Sequence, residues 1–559
     1  MARRLPSPLP SSPRAGWNPL TLAVAASLWI AAFSNWPLWQ ALLALPETSS
    51  TRGAVFLTGF GLMIAAVLSA LMALTAWRFS IKPVITLFLL AAAFGAHFMG
   101  TYGVVIDSTM MVNVVQTDPR EVRDLLSFRL LFGVLFLAGL PLLLLWRVRV
   151  QRLGALAQLG RNTLGFAAAL LVLAALVFAL FADLSATMRN HKSMRYLINP
   201  LNSFYALADI GLRAKARPAG PPLPIGADAR ISPRAAAARA PLVMVMVGET
   251  ARADHFALNG YARPTNPELA AFDLVSFREV SSCGTNTAAS LPCMFSYLGK
   301  AKFEARERDS ENLLDLVQRS GMAVLWLDNQ AGCKGLCDRV PNAQAIDAAP
   351  GASAPGAQLC EDGECLDEAL LVGLGARLAA LPAAQRERGV LLVLHQMGSH
   401  GPAYYKRSPA NRKPFMPECN TNALQQCDRA GLINAYDNSI AYTDHVLAQA
   451  VRWLQGQSAQ YDTTMLYVSD HGESLGENNL YLHGLPYALA PREQKHVPMI
   501  VWSAPASAPT ARSLTACLRE KRDLPLTHDN LFHSVLGLLG IAASEYQPGL
   551  DVFATCRAP

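Results

Sequence analysis

Charge is scarce in this chain. Only 16 % of its 559 residues are Asp, Glu, Lys or Arg, while 52 % are hydrophobic. Ordinary soluble domains carry about 25 % charged residues, so a single water-facing globule is excluded. Acidic residues are almost missing from the first part. Residues 1–240 hold 22 basic and 8 acidic side chains, net +14, whereas residues 241–559 hold 26 and 33, net −7. The apolar content excludes a disordered chain, and the acidic second part excludes a basic nucleic-acid binder. Cysteine is absent from the first 282 residues, and all ten lie beyond them. The chain divides into a basic membrane portion and an acidic soluble portion.

Five long apolar stretches stand before residue 183: Leu20–Leu45, Gly53–Trp77, Pro83–Ile106, Leu126–Trp146 and Thr163–Ala182. Each is close to the ~20 residues with which a helix crosses the hydrocarbon layer. The first is too long for a signal peptide, contains Trp36-Pro37 and is followed by four similar stretches. Lys and Arg in the short flanks set the orientation. Arg3, Arg4, Arg14, Arg78, Lys82, Arg147, Arg149, Arg152 and Arg161 fall on one side, against Arg52, Arg120 and Arg123 on the other. The N-terminal tail is therefore expected in the cytoplasm and everything after the fifth span outside it. In a bacterium with two membranes that is the periplasm.

The cysteines point to the same side. An even number confined to the exported portion reads as disulfides in an oxidising compartment. Four close pairs stand out, Cys283/Cys293, Cys333/Cys337, Cys360/Cys365 and Cys419/Cys427, with Cys517 and Cys556 left over. Connectivity stays open at this level, and Cys333/Cys337 also has the spacing of a zinc-ligand pair. Three regions follow: a transmembrane domain over 1–182, an interfacial helix and linker over 183–240, and a catalytic domain over 241–559. The run after Asp183 is amphipathic and basic, suited to lying on anionic headgroups or packing on the soluble domain. Arg217–Arg239, rich in Pro and Ala, reads as a tether.

Beyond Pro241, short apolar runs alternate with helical stretches. Leu242–Val247, Ala323–Leu327, Val390–Leu394, Thr464–Val468 and Val497–Trp502 read as strands. Glu311–Ser320, Leu366–Leu381, Leu432–Leu454 and Asn530–Leu539 read as helices. Continuous Val/Leu/Met strands between helices predict a mainly parallel sheet in an α/β domain, with ligands beyond the strands' carboxyl ends. The polar residues gather there: Glu249 after the first strand, His395–Gly401 after the third, Asp470, His471 and Glu473 after the fourth, then His483. Carboxylates and imidazoles converging from several strands suit zinc. His395 reads as a wall of the site.

These segments carry a resemblance. Gly248-Glu249-Thr250, Ser282–Thr287 with Leu291–Ser296, His395–Pro402 and Ser469–Ser474 are similar to the signature segments of the phosphoethanolamine transferases. These inner-membrane enzymes decorate lipid A, and the mobile colistin-resistance proteins are among them. The resemblance implies five transmembrane helices plus a periplasmic domain of alkaline-phosphatase/sulfatase type. It implies one or two Zn2+, with Glu249, Thr287, Asp470 and His471 as ligands and Thr287 as nucleophile. His400 and His483 resemble histidines that hold the substrate phosphate or a second zinc, and Lys334 resembles a donor-headgroup contact. Asn113, Thr117 and Glu121, in the third–fourth loop, resemble further donor-headgroup contacts. Their i, i+4, i+8 spacing would put them on one helical face, although Pro119 stands inside the stretch. The implied donor is phosphatidylethanolamine and the implied acceptor a lipid A phosphate, with polymyxin resistance as the outcome. A core sugar of lipopolysaccharide is the alternative acceptor.

The chemistry accounts for the residue types. A Thr hydroxyl is a weak nucleophile near neutral pH, and zinc favours its alkoxide. Thr287 is also an apt helix start, which is compatible with that role. A sulfatase would need a Cys-x-Pro-x-Arg segment, which neither Cys283 nor Cys293 begins. A glycerophosphate polymerase, also five-spanning with a Thr nucleophile, would not call for dense cysteine pairing. A scaffold that had lost its chemistry would be expected to lack at least one of Glu249, Thr287, Asp470 and His471.

Overall fold

The computed structural model describes residues 16–117, 119–216, 220–234, 238–348, 357–361, 363–505 and 514–557. Arg3, Arg4 and Arg14, three of the orienting charges, and Arg217 of the tether lie outside the described residues. The chain forms two compact units. One comprises the residues up to Thr101 with Phe128–Tyr205, the other Tyr102–Ser127 with Ala206–Pro559.

The first unit is helical. Thr51–Leu74, Ile81–Tyr102, Phe128–Arg147 and Ala155–Ala179 are each long and apolar enough to cross a membrane. Pro19–Ser34 and Trp36–Leu43 form a pair bent by 51° that completes a fifth span if counted as one. The sequence suggests one continuous stretch there. The bend falls where Asn35 precedes Trp36-Pro37 and the helix loosens into a π turn at Ile30–Ser34. The proline ring cannot continue the hydrogen-bond ladder, so its partners must be replaced. Asn35 does this: its amide donates to the carbonyls of Ile30 at 3.0 Å and Asn199 at 2.8 Å, and accepts from Asn199 N at 2.8 Å. Thr51–Leu74 is the most enclosed helix, with Phe56, Phe60, Met63, Ile64 and Leu68 buried in the unit's core.

The second unit is built on a seven-stranded sheet. In chain order its strands are β1 (Ala240–Gly248), β2 (Leu274–Phe277), β3 (Ala323–Asp328), β4 (Asn342–Gln344), β5 (Val390–His395), β6 (Tyr461–Ser469) and β7 (Met499–Ser503). The spatial order is β2-β7-β6-β1-β5-β3-β4. The ladders from β6 through β1, β5 and β3 to β4 are parallel, whereas β7 runs antiparallel to both β6 and β2. The sheet is thus mainly parallel with an antiparallel edge. Alternation along β1 sends Val243, Val245 and Val247 to one core and Leu242, Met244 and Met246 to the other. Both faces are therefore apolar and both are covered, which is why these strands carry no polar alternation.

Five helices matter for the site: α1 (Ser108–Val115), α2 (Thr287–Met294), α3 (Leu313–Arg319), α4 (Arg429–Gln457) and α5 (Asp529–Leu539). α2, α3 and α5 feed one core and α4 the other. The expected helix over Leu366–Leu381 is broken: a 3-10 turn over Asp367–Leu371 gives way to Leu374–Ala380 across Gly373 at φ +67°. All ten cysteines pair: Cys283–Cys293, Cys333–Cys337, Cys360–Cys365, Cys419–Cys427 and Cys517–Cys556. Cys333 and Cys337 are bonded to each other and are not free to bind zinc.

Candidate active site

The parallel register sets the site. β1 and β6 run side by side with Gly248 opposite Ser469, so Glu249 and Asp470 leave the sheet together. The ladder continues one step further, Asp470 N donating to Gly248 O at 2.9 Å. Gly248 is required because a Cβ there would lie 2.5 Å from the Tyr467 hydroxyl. Gly398 sits at φ +53° with its Cα against Glu249, where a Cβ would fall 2.7 Å from the Glu249 carbonyl. Thr250 is also left-handed, at φ 51°. Its neighbourhood holds it: Tyr436 Oη donates to Thr250 O at 2.7 Å, and Thr250 N donates to Asp470 Oδ1 at 3.3 Å.

Thr287 opens α2, capped by Asn286, whose side chain accepts from Ala289 N at 2.9 Å. The Thr287 hydroxyl donates to Glu249 Oε2 at 3.0 Å and lies 3.5 Å from His471 Nε2. His471 Nδ1 is 2.9 Å from the carbonyl of Gly472, a group that only accepts, so Nδ1 carries its proton. The other nitrogen, Nε2, faces Glu249 Oε1 at 3.2 Å and Asp470 Oδ2 at 3.4 Å. Those two oxygens are buried and accept no hydrogen bond.

Glu249, Asp470 and His471 are all 0 % exposed. Burial and the nearby Glu249 charge push the Asp470 carboxyl up. Burial acts on Glu249 too, but contact with His471 outweighs it and keeps Glu249 below the ordinary carboxylate range. Burial likewise opposes the charge on His471, yet Asp470 and Glu249 raise it to about 10. The cluster demands a positive charge at its centre, which in a cation-free state is a proton on Nε2. Two carboxylate oxygens, one imidazole nitrogen and the Thr287 hydroxyl around one point fit a zinc ion, whose charge would let both carboxylates ionise.

His483 lies beside this cluster. Its ring centroid is 4.3 Å from that of His471 and 5.6 Å from that of His400. Burial and the His471 charge push its pKa down to about 3, so it is neutral. Glu473 Oε1 is 3.3 Å from His483 Nδ1, and burial lifts that carboxyl to about 8. Glu473 stands in a motif that the sequence singles out, but nothing in its spacing assigns it a partner. His395 is fully buried, its Nδ1 3.2 Å from Asp328 Oδ2 and its ring edge-on to Trp326.

The remaining residues lie elsewhere in this unit. Lys334, at φ 49°, points its Nζ to Ala331 O at 3.2 Å and Gln116 O at 3.4 Å. It borders a cavity of about 930 Å3 lined also by Val112, Thr285, Ala288 and Pro292, on the faces of α2 that do not carry Thr287. Asn113 is partly buried on α1, and the Thr117 hydroxyl donates to Asn113 O at 2.8 Å. α1 ends at Val115 and a separate helix runs Pro119–Leu125, so Asn113, Thr117 and Glu121 do not share one helix. Pro119 breaks it, and the side chain of Glu121 lies outside the described residues. The loop is held by Asp124. Its Oδ2 accepts from Arg407 Nη2 at 3.1 Å, its Oδ1 pairs with Lys406, and its carbonyl accepts from Asn422 Nδ2 at 2.6 Å.

Comparison with known proteins gives these features a common context. The family "Phosphoethanolamine transferase EptA/EptB" matches residues 64–213, and the family "Sulfatase" matches residues 241–541. Phosphoethanolamine transferase EptA of Escherichia coli strain K12 is 37 % identical over 555 residues, covering 97 % of this chain and 98 % of its own. Phosphatidylethanolamine transferase Mcr-1 of Escherichia coli is 37 % identical over 544 residues, covering 94 % and 96 %. Among solved structures, the integral membrane lipooligosaccharide phosphoethanolamine transferase A of Neisseria meningitidis superposes with a TM-score of 0.89. It is 32 % identical and covers 96 % of this chain and 99 % of its own. Similarity at this level along almost the whole of each chain settles the family: the protein belongs to the phosphoethanolamine transferases, as an integral membrane enzyme whose α/β domain is periplasmic.

Proposed function

We propose that this enzyme moves phosphoethanolamine from phosphatidylethanolamine to a lipid A phosphate, with Thr287 as the nucleophile that carries the group between them. The observation that supports this reading is the Thr287 hydroxyl, 3.0 Å from Glu249 Oε2 at the rim of three fully buried ligand groups. Glu249, Asp470, His471 and Thr287 would hold zinc, which when bound supplies Lewis acidity to the hydroxyl and to a phosphoryl oxygen. The Thr287 proton is already directed at Glu249. In the first step the Thr287 Oγ–P bond forms, the P–O bond to diacylglycerol breaks, and the proton lost by Thr287 ends on the diacylglycerol oxygen. In the second, an oxygen of the acceptor phosphate attacks the same phosphorus and Thr287 is released. In this reading His400 and the neutral His483 would meet the diester phosphate, and Lys334, Asn113, Thr117 and Glu121 the donor headgroup.

Support for lipid A as the accepting molecule comes from a relative whose name gives it. The Escherichia coli strain K12 protein named Kdo(2)-lipid A phosphoethanolamine 7''-transferase is 27 % identical over 546 residues. That name also keeps a core sugar in play as the alternative acceptor. Adding an ammonium to a lipid A phosphate reduces the negative surface charge that attracts cationic peptides, so polymyxin resistance follows from the reaction. Mass spectrometry of lipid A from cells with and without the protein tests this, with phosphoethanolamine expected on a phosphate and not on Kdo or heptose. Peptide mapping of enzyme quenched with donor but no acceptor should find the group on Thr287. Finding it on Ser282, Thr285 or Ser290 would overturn the assignment.

A further inference from the structure

His528 has no part in the chemistry above, yet it is 2 % exposed and satisfied on every side. It stands immediately before α5. Its backbone N–H donates to Ser281 O at 3.0 Å. Its Nε2 lies 2.9 Å from the carbonyl of Ser469, which only accepts, so Nε2 is the protonated nitrogen. Nδ1 is then a lone pair, and it accepts the backbone N–H of Cys283 at 3.1 Å. One side chain thus ties the loop that leads into Thr287 to the last residue of β6, next to Asp470.

A second tie runs parallel to it. Ser290, one turn along α2 from Thr287, donates its hydroxyl to Asp470 O at 2.5 Å and accepts from Gly284 N at 3.3 Å. Its oxygen is 3.3 Å from His528 Nδ1, so the two ties touch. The Cys283–Cys293 bond closes the segment on itself but does not reach β6. The 3.5 Å separation of Thr287 from His471 depends on two stretches 184 residues apart in sequence holding one spacing.

We propose that His528 is a positioning residue which, with Ser290, fixes the Thr287 segment against the strand end that carries Asp470 and His471. The inference rests on Thr287 being the nucleophile. Burial pushes the His528 pKa down to about 3, so the acceptor at Nδ1 persists through the neutral range. The neutral form also avoids adding a positive charge beside the ligand cluster.

The test uses full-length enzyme in detergent, with phosphatidylethanolamine as donor and lipid A as acceptor in mixed micelles. His528→Ala should lower kcat by about 30-fold or more, since a displacement near 1 Å can cost ~100-fold. KM and zinc per chain should stay near wild type, with a lowered melting temperature but an unchanged folded fraction at the assay temperature. His528→Asn, whose Oδ1 can replace the Nδ1 acceptor, should recover several-fold of that loss. Unchanged kcat in His528→Ala, or a loss that matches a fall in zinc or folded fraction, overturns the proposal. If His528→Ala does not fold, Ser290→Ala decides: kcat down about 5- to 10-fold at unchanged folded fraction supports it, and wild-type kcat overturns it. Thr287→Ala, run alongside, separates the two ideas, because residual turnover there would instead remove the nucleophile assignment.

Discussion

Two carboxylates and one imidazole, all fully enclosed, leave Glu249 and Asp470 dependent on a central positive charge. Replacing Glu249 by Gln removes one of the two carboxylates and half of that demand, and on the proposed reading a zinc ligand with it. Zinc affinity of Glu249→Gln should fall by at least about 100-fold, read by metal analysis after dialysis, with transfer lost in parallel. Asp444 offers a pH test away from the site. Its carboxylate accepts from Glu268 N at 2.8 Å and Leu269 N at 3.1 Å, and burial lifts its pKa to about 7. The folded pKa lies above the unfolded one, so the folded state binds the extra proton and this group costs stability as pH rises from about 4 to 7. Asp444→Asn lacks that slope. The melting advantage of wild type over Asp444→Asn should shrink between pH 5 and pH 8, and a constant gap would contradict the shift. Glu249, Asp470 and His471 are legible in the sequence because they follow apolar runs of a parallel sheet, whose ends converge by construction. Glu473 is legible by place but not by its partner His483, and His528 and Asp328 are not legible at all, since each acquires meaning only from a partner that the fold delivers.

The same division holds for whole elements. The five central strands announce themselves by largely apolar runs, while β2 and β4, with 4 and 3 residues, are too short for any periodicity to register. Leu366–Leu381 has helical composition, but Gly373 takes a left-handed turn and splits it. The segment Tyr102–Ser127 is legible only in part: its Asn113, Thr117 and Glu121 resemble donor-headgroup contacts, but nothing in its sequence shows what it docks on. Its docking onto the α/β domain depends on Asp124, which is 4 % exposed, and Arg407, 8 % exposed. Arg407 also donates from Nε to His400 O at 3.0 Å and pairs with Glu364 at 3.2 Å. Asp124→Ala would strand a buried guanidinium with one partner fewer, at a cost of about 3 kcal/mol. Faster hydrogen exchange across residues 108–117 and around His400 is the expected signature, together with reduced transfer. Exchange confined to residues 119–125 would mean that the pair is local.

At the scale of the molecule, five disulfides reinforce one unit and none the other. The bridges are unequal. Cys517–Cys556 closes 39 residues, and on a chain-entropy basis contributes about 4 kcal/mol, against about 2 kcal/mol for Cys333–Cys337, which closes 4. Replacing both cysteines of the long bridge by Ser should therefore lower the melting temperature more than doing so at the short one, as calorimetry of the two variants would read. Equal losses would point to local packing instead of loop closure. The division into units also has a consequence in time. Tyr102–Ser127 belongs with residues that follow Ala206, yet it is translated before them. At about 5–20 residues per second, this piece waits outside the membrane on the order of half a minute for Arg407 and Asn422 to be made. Through that interval Asp124 has none of these partners, so the enzyme's assembly begins with a fragment whose carboxylate must be kept from pairing with anything else.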